Sequence, residues 1–446
     1  MHFRTRLPLA LFAVLAACAP SADVDASLES YINSIKSVDA HAHPLRYTAP
    51  GAPKDTDFDA LPLDGLPPFN VPLGLRPENP PYRAAQRALF GMTSNDTGAA
   101  YTKALVAARN KVMSAQADKY PAWALDQSNI DVMLSNRIAM GPSLDPARFK
   151  WIAFADALML PLDIKGEATL TPDVKGLYPL EAKLLARYLH DLDLARIPAT
   201  LDAYETQVIG ATLAKQKAAG AVGIKFEAAY LRPLDFGPDD AQASASIYAR
   251  YANGGVPTHA EYKTLEDHLF RAIARAAGKN GLTIQIHCTE GFGGFYNTRG
   301  SDPSVLETIF NDSTLRGTNF VITHGGWPRV QATMTMLGKP NVYADISMMD
   351  ILAEPAALAS AIRMWLGEWP EKVLFGTDAF DGGATQGWEQ VAWIASHNAR
   401  HALAVALSGM VRDGEITRDR AEQIARMVMR DNAIAAYHLG VATSAK

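Results

Sequence analysis

The sequence predicts an α/β fold, a TIM-type (β/α)8 barrel with inserted loops and C-terminal helices, and three observations carry that prediction. Eight short apolar runs alternate with stretches of helical composition, which argues for a parallel sheet, and eight such units argue for closure into a barrel. Residues of metal-binding type stand at the ends of five of those runs. No glycine-rich phosphate loop follows the first run, which weakens a nucleotide-binding reading in the alternative, an open doubly wound sheet.

The 446 residues exceed one ordinary domain, but they suit one large barrel with insertions. Apolar content of 48% and charged content of 20% suit a globular chain, and suggest neither disorder nor a membrane bundle. The net charge of -5 comes without the basic clustering of a nucleic-acid binder.

Residues 1–18 stand apart. Arg4 and Arg6 precede the apolar run Leu7 to Ala17, which is too short to span a bilayer and reads as a secretory leader. It ends Leu15-Ala16-Ala17-Cys18, similar to the lipobox of bacterial lipoproteins. That resemblance implies a lipid-anchored, exported protein with Cys18 as the modified N-terminus, on the periplasmic side. Ala19 in place of Asp implies the outer membrane if the host is Gram-negative. Residues 19–30 form a tether, and 31–440 the barrel. The other cysteine, Cys288, is expected to be free and buried.

Leu28, Ile32 and Ile35 have helical spacing and lead into the first strand, Ser37 to Ala42. The stretch from Pro44 to Tyr82 is rich in Pro, Gly and Asp and reads as a long loop. Helices are expected over Tyr82 to Leu89 and Ala99 to Lys119. Strands are then expected at Ile130 to Leu134, Trp151 to Leu160, Val222 to Phe226, Leu282 to Cys288, Phe320 to Thr323, Val342 to Ile346 and Val373 to Phe375. Between them Leu180 to Leu194, Tyr204 to Ala219, Thr264 to Ala277 and Ala356 to Leu366 read as helices. Gly387 to Val411 and Thr417 to Leu439 are two long helical patterns that either cover the barrel bottom or contribute to a homo-oligomer contact.

Catalytic groups in such a barrel come from the C-terminal ends of strands. Those ends carry His41 and His43 on the first strand, Lys225 on the fourth, His287 on the fifth, His324 on the sixth and Asp378 on the eighth. His41 and His43, at i and i+2 on an extended strand, emerge on one face and can converge on one point. One histidine at a strand end is more often structural. This many ligand-type residues at one rim argue against a shared structural explanation.

Asp39-Ala40-His41-Ala42-His43-Pro44, Gly223-Ile224-Lys225, Ile286-His287, Thr323-His324-Gly325-Gly326-Trp327-Pro328, Asn341 to Ser347, Leu374 to Asp378 and Asp431-Asn432-Ala433 follow one another through residues 30 to 440. In this order they resemble the amidohydrolase superfamily, in its amidohydrolase-related branch of metal-dependent hydrolases. Ala229-Tyr230-Leu231-Arg232 and Gly291 to Gly294 are similar to the nodulin/FluG-type domain, which implies a small polar amide as substrate. The wording of these loops departs from that type, including Cys288-Thr289-Glu290 after the histidine.

The resemblance implies a hydrolase that cleaves a C–N bond of a small molecule with a divalent ion, zinc first. His41, His43, His287 and Asp378 would hold the ion, and Asp378 would act as general base and then acid. His324 would stabilise an oxyanion or ligate a second ion. One ion is expected, with two if Lys225 is carbamylated. Asp39 or Asp345 would orient an imidazole. Tyr230, Arg232 and Arg299 are candidate substrate contacts; Asp381, just past Asp378, either binds a substrate amine or stabilises the turn; Trp327 and Phe292 read as pocket wall or core. Two alternatives stay open: a metal-dependent decarboxylase of the same superfamily and a non-catalytic binding lipoprotein.

Overall fold

Strand β1 (Ser37–Ala42) follows a helix, Ala26–Ser34, whose first turn is capped by the Asp25 carboxylate accepting from the Ser27 and Leu28 N–H groups. The computed structural model describes residues 24–49, 51–62, 70–94, 96, 98–288, 291, 294 and 296–440. The leader with Cys18, and also Phe292, lie outside the described residues.

Seven further strands follow: β2 (Ile130–Asn136), β3 (Phe149–Phe154), β4 (Ala221–Phe226), β5 (Thr283–His287), β6 (Phe320–Thr323), β7 (Val342–Asp345) and β8 (Val373–Leu374). They pair in sequence order, and every pair is parallel. The edges meet where Ala40 N–H donates to the Phe375 carbonyl (2.9 Å) and Asp378 N–H to the His41 carbonyl (2.7 Å). The expected eight-stranded (β/α) barrel is therefore the observed one. Its strands are buried on both faces, which is why they read as continuous apolar runs.

Some boundaries differ from the sequence expectation. The run to Leu160 ends as a strand at Phe154 and continues as a helical turn over Asp156–Met159. Ala157, Leu158 and Met159 are apolar because they are buried, and burial alone does not distinguish strand from turn. Helices Tyr120–Gln127, Ala241–Tyr251 and Val330–Leu337 were not foreseen. The pattern Tyr204 to Ala219 lies in a helix from Leu201 to Ala218 that carries a π-helical turn, Glu205–Gly210.

The chain end plugs the barrel bottom. Ala433, Ile434, Ala436, Tyr437 and Leu439 pack with Val38, Ala40, Val132, Leu134, Ile152, Val321 and Leu374. The Ala436 carbonyl accepts from Thr283 Oγ1 (2.6 Å) and Asn319 Nδ2 (2.9 Å). This plug reaches upward: the Tyr437 hydroxyl accepts from Gln285 Nε2 (2.8 Å). Of the two sequence readings for the last helices, bottom cover describes residues 433–439, whereas helix Trp388–Arg412 packs along helix Pro355–Leu366. Among the described residues, no helix is long and apolar enough to cross a membrane.

Candidate metal centre and pocket

The barrel's C-terminal rim brings His41, His43, Lys225, His287, His324 and Asp378 together around Asp378. His41 Nε2 lies 3.2 Å and His43 Nε2 3.6 Å from Asp378 Oδ1, and His324 Nδ1 lies 3.7 Å from Oδ2. The histidine pair does not rest on simple strand alternation, because the β1–β2 register shifts between Asp39 and Ala42. Asp39 holds this irregular segment: its carboxylate accepts from the His41 N–H (3.1 Å), the Thr377 N–H (3.0 Å) and the Thr377 hydroxyl (2.6 Å). It thus fixes β1 to the segment before Asp378 and touches neither imidazole through these bonds.

Asp378 and His324 both have left-handed backbone, φ 51° and 60°. Such a conformation costs a non-glycine residue about 1–3 kcal/mol. At Asp378 the hydrogen bond to the His41 carbonyl opposes that cost. At His324 the N–H donates to Asp345 Oδ1 (2.9 Å).

Hydrogen bonding assigns the imidazole tautomers. The amide nitrogen of Gln285 donates to the Ala40 carbonyl (2.7 Å) and to Tyr437 Oη (2.8 Å), so its oxygen faces His41 Nδ1 at 2.8 Å. That oxygen can only accept, so the proton sits on Nδ1 and the Nε2 lone pair faces Asp378. Lys225 Nζ, 3.3 Å from the same Nε2, also contacts Thr323 Oγ1 at 3.4 Å. At His324 a similar relay runs through Ser347, whose hydroxyl donates to Asp345 and therefore accepts from His324 Nδ1 (3.0 Å). Asp345 thus acts on His324 through Ser347. His324 Nε2 then carries the lone pair, 3.2 Å from His287 Nδ1, and His287 Nε2 is buried with no hydrogen-bond partner.

Burial, then the charge of Lys225, lowers the His41 pKa to about 4. Burial first also holds His287 and His324 well below the ordinary histidine range. Neutral imidazoles and a carboxylate are the donor types a divalent ion requires. Ligand atoms of His41, His324 and Asp378 lie within 4.8 Å of one another. The residues therefore fit a metal ion. The structure places His324 in this closest group, with His287 against it and His43 turned partly toward a second group, Asp59 and Glu227. Exchanging Gln285 for Leu removes the acceptor that fixes His41, and we expect metal affinity to fall about 10- to 100-fold in a competition titration against a chromophoric chelator.

Above the cluster lies a cavity of about 840 Å³. Its floor is His43, Lys225, Glu227, Tyr230, His287, His324 and Asp378. Its walls include Arg46, Asp59 and Leu61 from the long loop, Arg109 and Met113 from helix Ala99–Gln116, and Phe380, Asp381 and Trp388. A second cavity, of about 560 Å³, is lined by Asp126, Arg148 and Arg430 and shares no lining residue with the ligand cluster.

Among the expected substrate contacts, Tyr230 lines the cavity with its ring centroid 4.8 Å from that of His287. Arg232 does not line it; its guanidinium is held by Glu266 (2.8 Å) and Asp267 (3.0 Å). Arg299 is exposed and also absent from the lining. Asp381 lines the wall 3.3 Å from Arg109 Nη2. Trp327 packs against the core, and Cys288 is free and buried. Sequence reasoning missed Gln285, Ser347, Glu227 and Asp59. The first and third were within reach, since Gln285 lies two residues before His287 on β5 and Glu227 directly follows β4, two residues after Lys225. Asp59 sits in an irregular loop that carries no such signal.

A family model described as amidohydrolase matches residues 187–439. A candidate metal-dependent hydrolase from Lactobacillus casei superposes with a TM-score of 0.59 at 16% identity, covering 92% of this chain and 97% of that one. Uronate isomerase from Thermotoga maritima gives 0.56 at 12% identity over 92% and 96% of the two chains. Glucuronate isomerase from Caulobacter crescentus gives 0.54 at 12% over 94% of each. At these identities the structural likeness extends to the fold alone. No curated protein matches the sequence.

Proposed function

The chain belongs to the amidohydrolase family, and from that premise we propose that it is a metal-dependent hydrolase cleaving the C–N bond of a small-molecule amide, with zinc as the resident ion. The observation that carries this reading is the convergence of His41, His324 and Asp378 under the cavity, with the His41 Nε2 lone pair turned to the carboxylate. His41, His324 and Asp378 would hold the ion, with His43 and His287 adjoining. The chemistry such an ion supplies when bound is Lewis acidity toward a carbonyl and toward water.

The chain's own groups account for the remaining requirements. Asp378, buried and free of any Arg or Lys partner among the described residues' ion pairs, takes the proton from the attacking water and returns it to the departing nitrogen. The Tyr230 ring walls the cavity beside His287 and keeps water from that side. Lys225 supplies positive charge beneath the reacting carbonyl. The experiment is product analysis on a panel of small amides: release of free amine and carboxylate in equal amounts supports the reading, whereas release of carbon dioxide or formation of an isomer of unchanged mass overturns it.

We also propose that the protein is exported and lipid-anchored through Cys18 on the periplasmic side, in the outer membrane of a Gram-negative host. The support is the leader's charge and apolar pattern. Replacing Cys18 by Ser should move the protein from the membrane to the soluble fraction on cell fractionation; continued membrane association would contradict the anchor.

A further inference from the structure

Beside the first ligand group the structure holds a second one. Ligand atoms of His43, Asp59 and Glu227 also lie within 4.8 Å of one another. We propose that this group is a second divalent-cation site, built on the opposite nitrogen of His43 and independent of Lys225.

Three observations support it. First, His43 presents Nε2 to Asp378 and Nδ1 to Asp59 Oδ2, at 3.6 and 3.3 Å. Nδ1 is buried and makes no hydrogen bond despite that short separation, as expected when both atoms point at a common third position rather than at each other. Second, Glu227 is 6% exposed, and its Oε2 is buried without a hydrogen-bond partner. A buried acceptor left unmatched costs about 1–3 kcal/mol, more when charged.

Third, the surroundings call for positive charge. Behind Glu227 lie two more buried carboxyls, Asp156 and Glu181, each with an unpartnered oxygen. Lys225, the nearby cation, is turned to His41 and Thr323. One imidazole nitrogen and two carboxylates make a mixed donor set suited to zinc, manganese or iron(II). Donors bound to one ion at about 2.1 Å lie at most about 4.2 Å apart, so small side-chain rotations close the group on an ion.

The test is manganese(II) binding to the full chain, followed by electron paramagnetic resonance and by anomalous scattering from soaked crystals. Wild type should bind two equivalents, with one anomalous peak between His43 Nδ1, Asp59 and Glu227. Glu227→Gln, nearly identical in size, should lose that peak and at least tenfold in affinity for one equivalent while keeping the other. Circular dichroism of each variant guards against misfolding. The proposal is overturned by a single equivalent in wild type, by two undiminished in Glu227→Gln, or by a second peak at Lys225. It is also overturned if Asp59→Asn weakens one ion and Glu227→Gln none, the pattern of an Asp59 that only orients His43. Because the readout is binding, its failure leaves the amide chemistry standing, and two bound ions without amide turnover would fail the chemistry alone.

Discussion

Replacing Asp378 by Asn is expected to lower kcat by about 10²- to 10⁴-fold on any amide the wild type cleaves, with KM changed far less. Asparagine keeps the size of the side chain and one oxygen near His41, but it cannot accept a proton. The loss should therefore fall on the step that uses the proton rather than on substrate capture. Steady-state kinetics with purified protein checks this, alongside metal content to show that the variant still holds its ion. A variant with wild-type turnover would remove Asp378 from the chemistry. The residue's backbone adds a second reason to expect a selective effect. Its φ of 51° is held by the Asp39–Thr377 bonds and by the His41 carbonyl, and none of these uses the exchanged oxygen.

The second large effect is expected on stability. Arg137, at the end of β2, is fully buried and pairs in a fork with Asp55, Nη1 to Oδ2 and Nη2 to Oδ1, both at 2.9 Å. It also donates to the Pro44 carbonyl (2.7 Å) and, through Nε, to Ala139 O (3.0 Å). Asp55 in turn accepts from the Arg46 N–H (3.0 Å), so one guanidinium ties down the loop that carries Asp59 over the cavity. Arg137→Met would leave the buried Asp55 carboxylate with the partly exposed Arg46, Nε 3.3 Å from Oδ1, as its cationic partner, and breaking a buried pair typically costs about 3–5 kcal/mol. Urea unfolding should show a lower midpoint at unchanged slope. A double exchange that also converts Asp55 to Asn should recover part of the loss, because the buried charge disappears.

The sequence made the barrel legible because each strand is buried on both faces and so reads as an unbroken apolar run between helices. Its misreadings have physical causes. β8 covers two residues instead of three, and the Phe375 N–H donates to the Val428 carbonyl (3.0 Å) rather than to a neighbouring strand. The run after β3 continued past Phe154 because a buried turn needs the same apolar residues as a buried strand. At the site, the residues that could hold an ion were legible from their places at strand ends. Which of them group together was not, since that depends on the register shift in β1, which orients His41, and on the Asp345–Ser347 relay, which orients His324. Arg232 illustrates the limit for substrate contacts. Its place after β4 suggested a carboxylate fork, and it makes one, but to Glu266 and Asp267 of the helix His259–Lys279 rather than toward the cavity.

Chelation and reconstitution test the account's central claim most directly. Purified protein stripped of metal should lose amide turnover, and stoichiometric zinc should restore it, with one amine and one carboxylate released per event. Undiminished amide cleavage by the stripped protein, or restored turnover that yields carbon dioxide or an isomer instead of an amine, would contradict it.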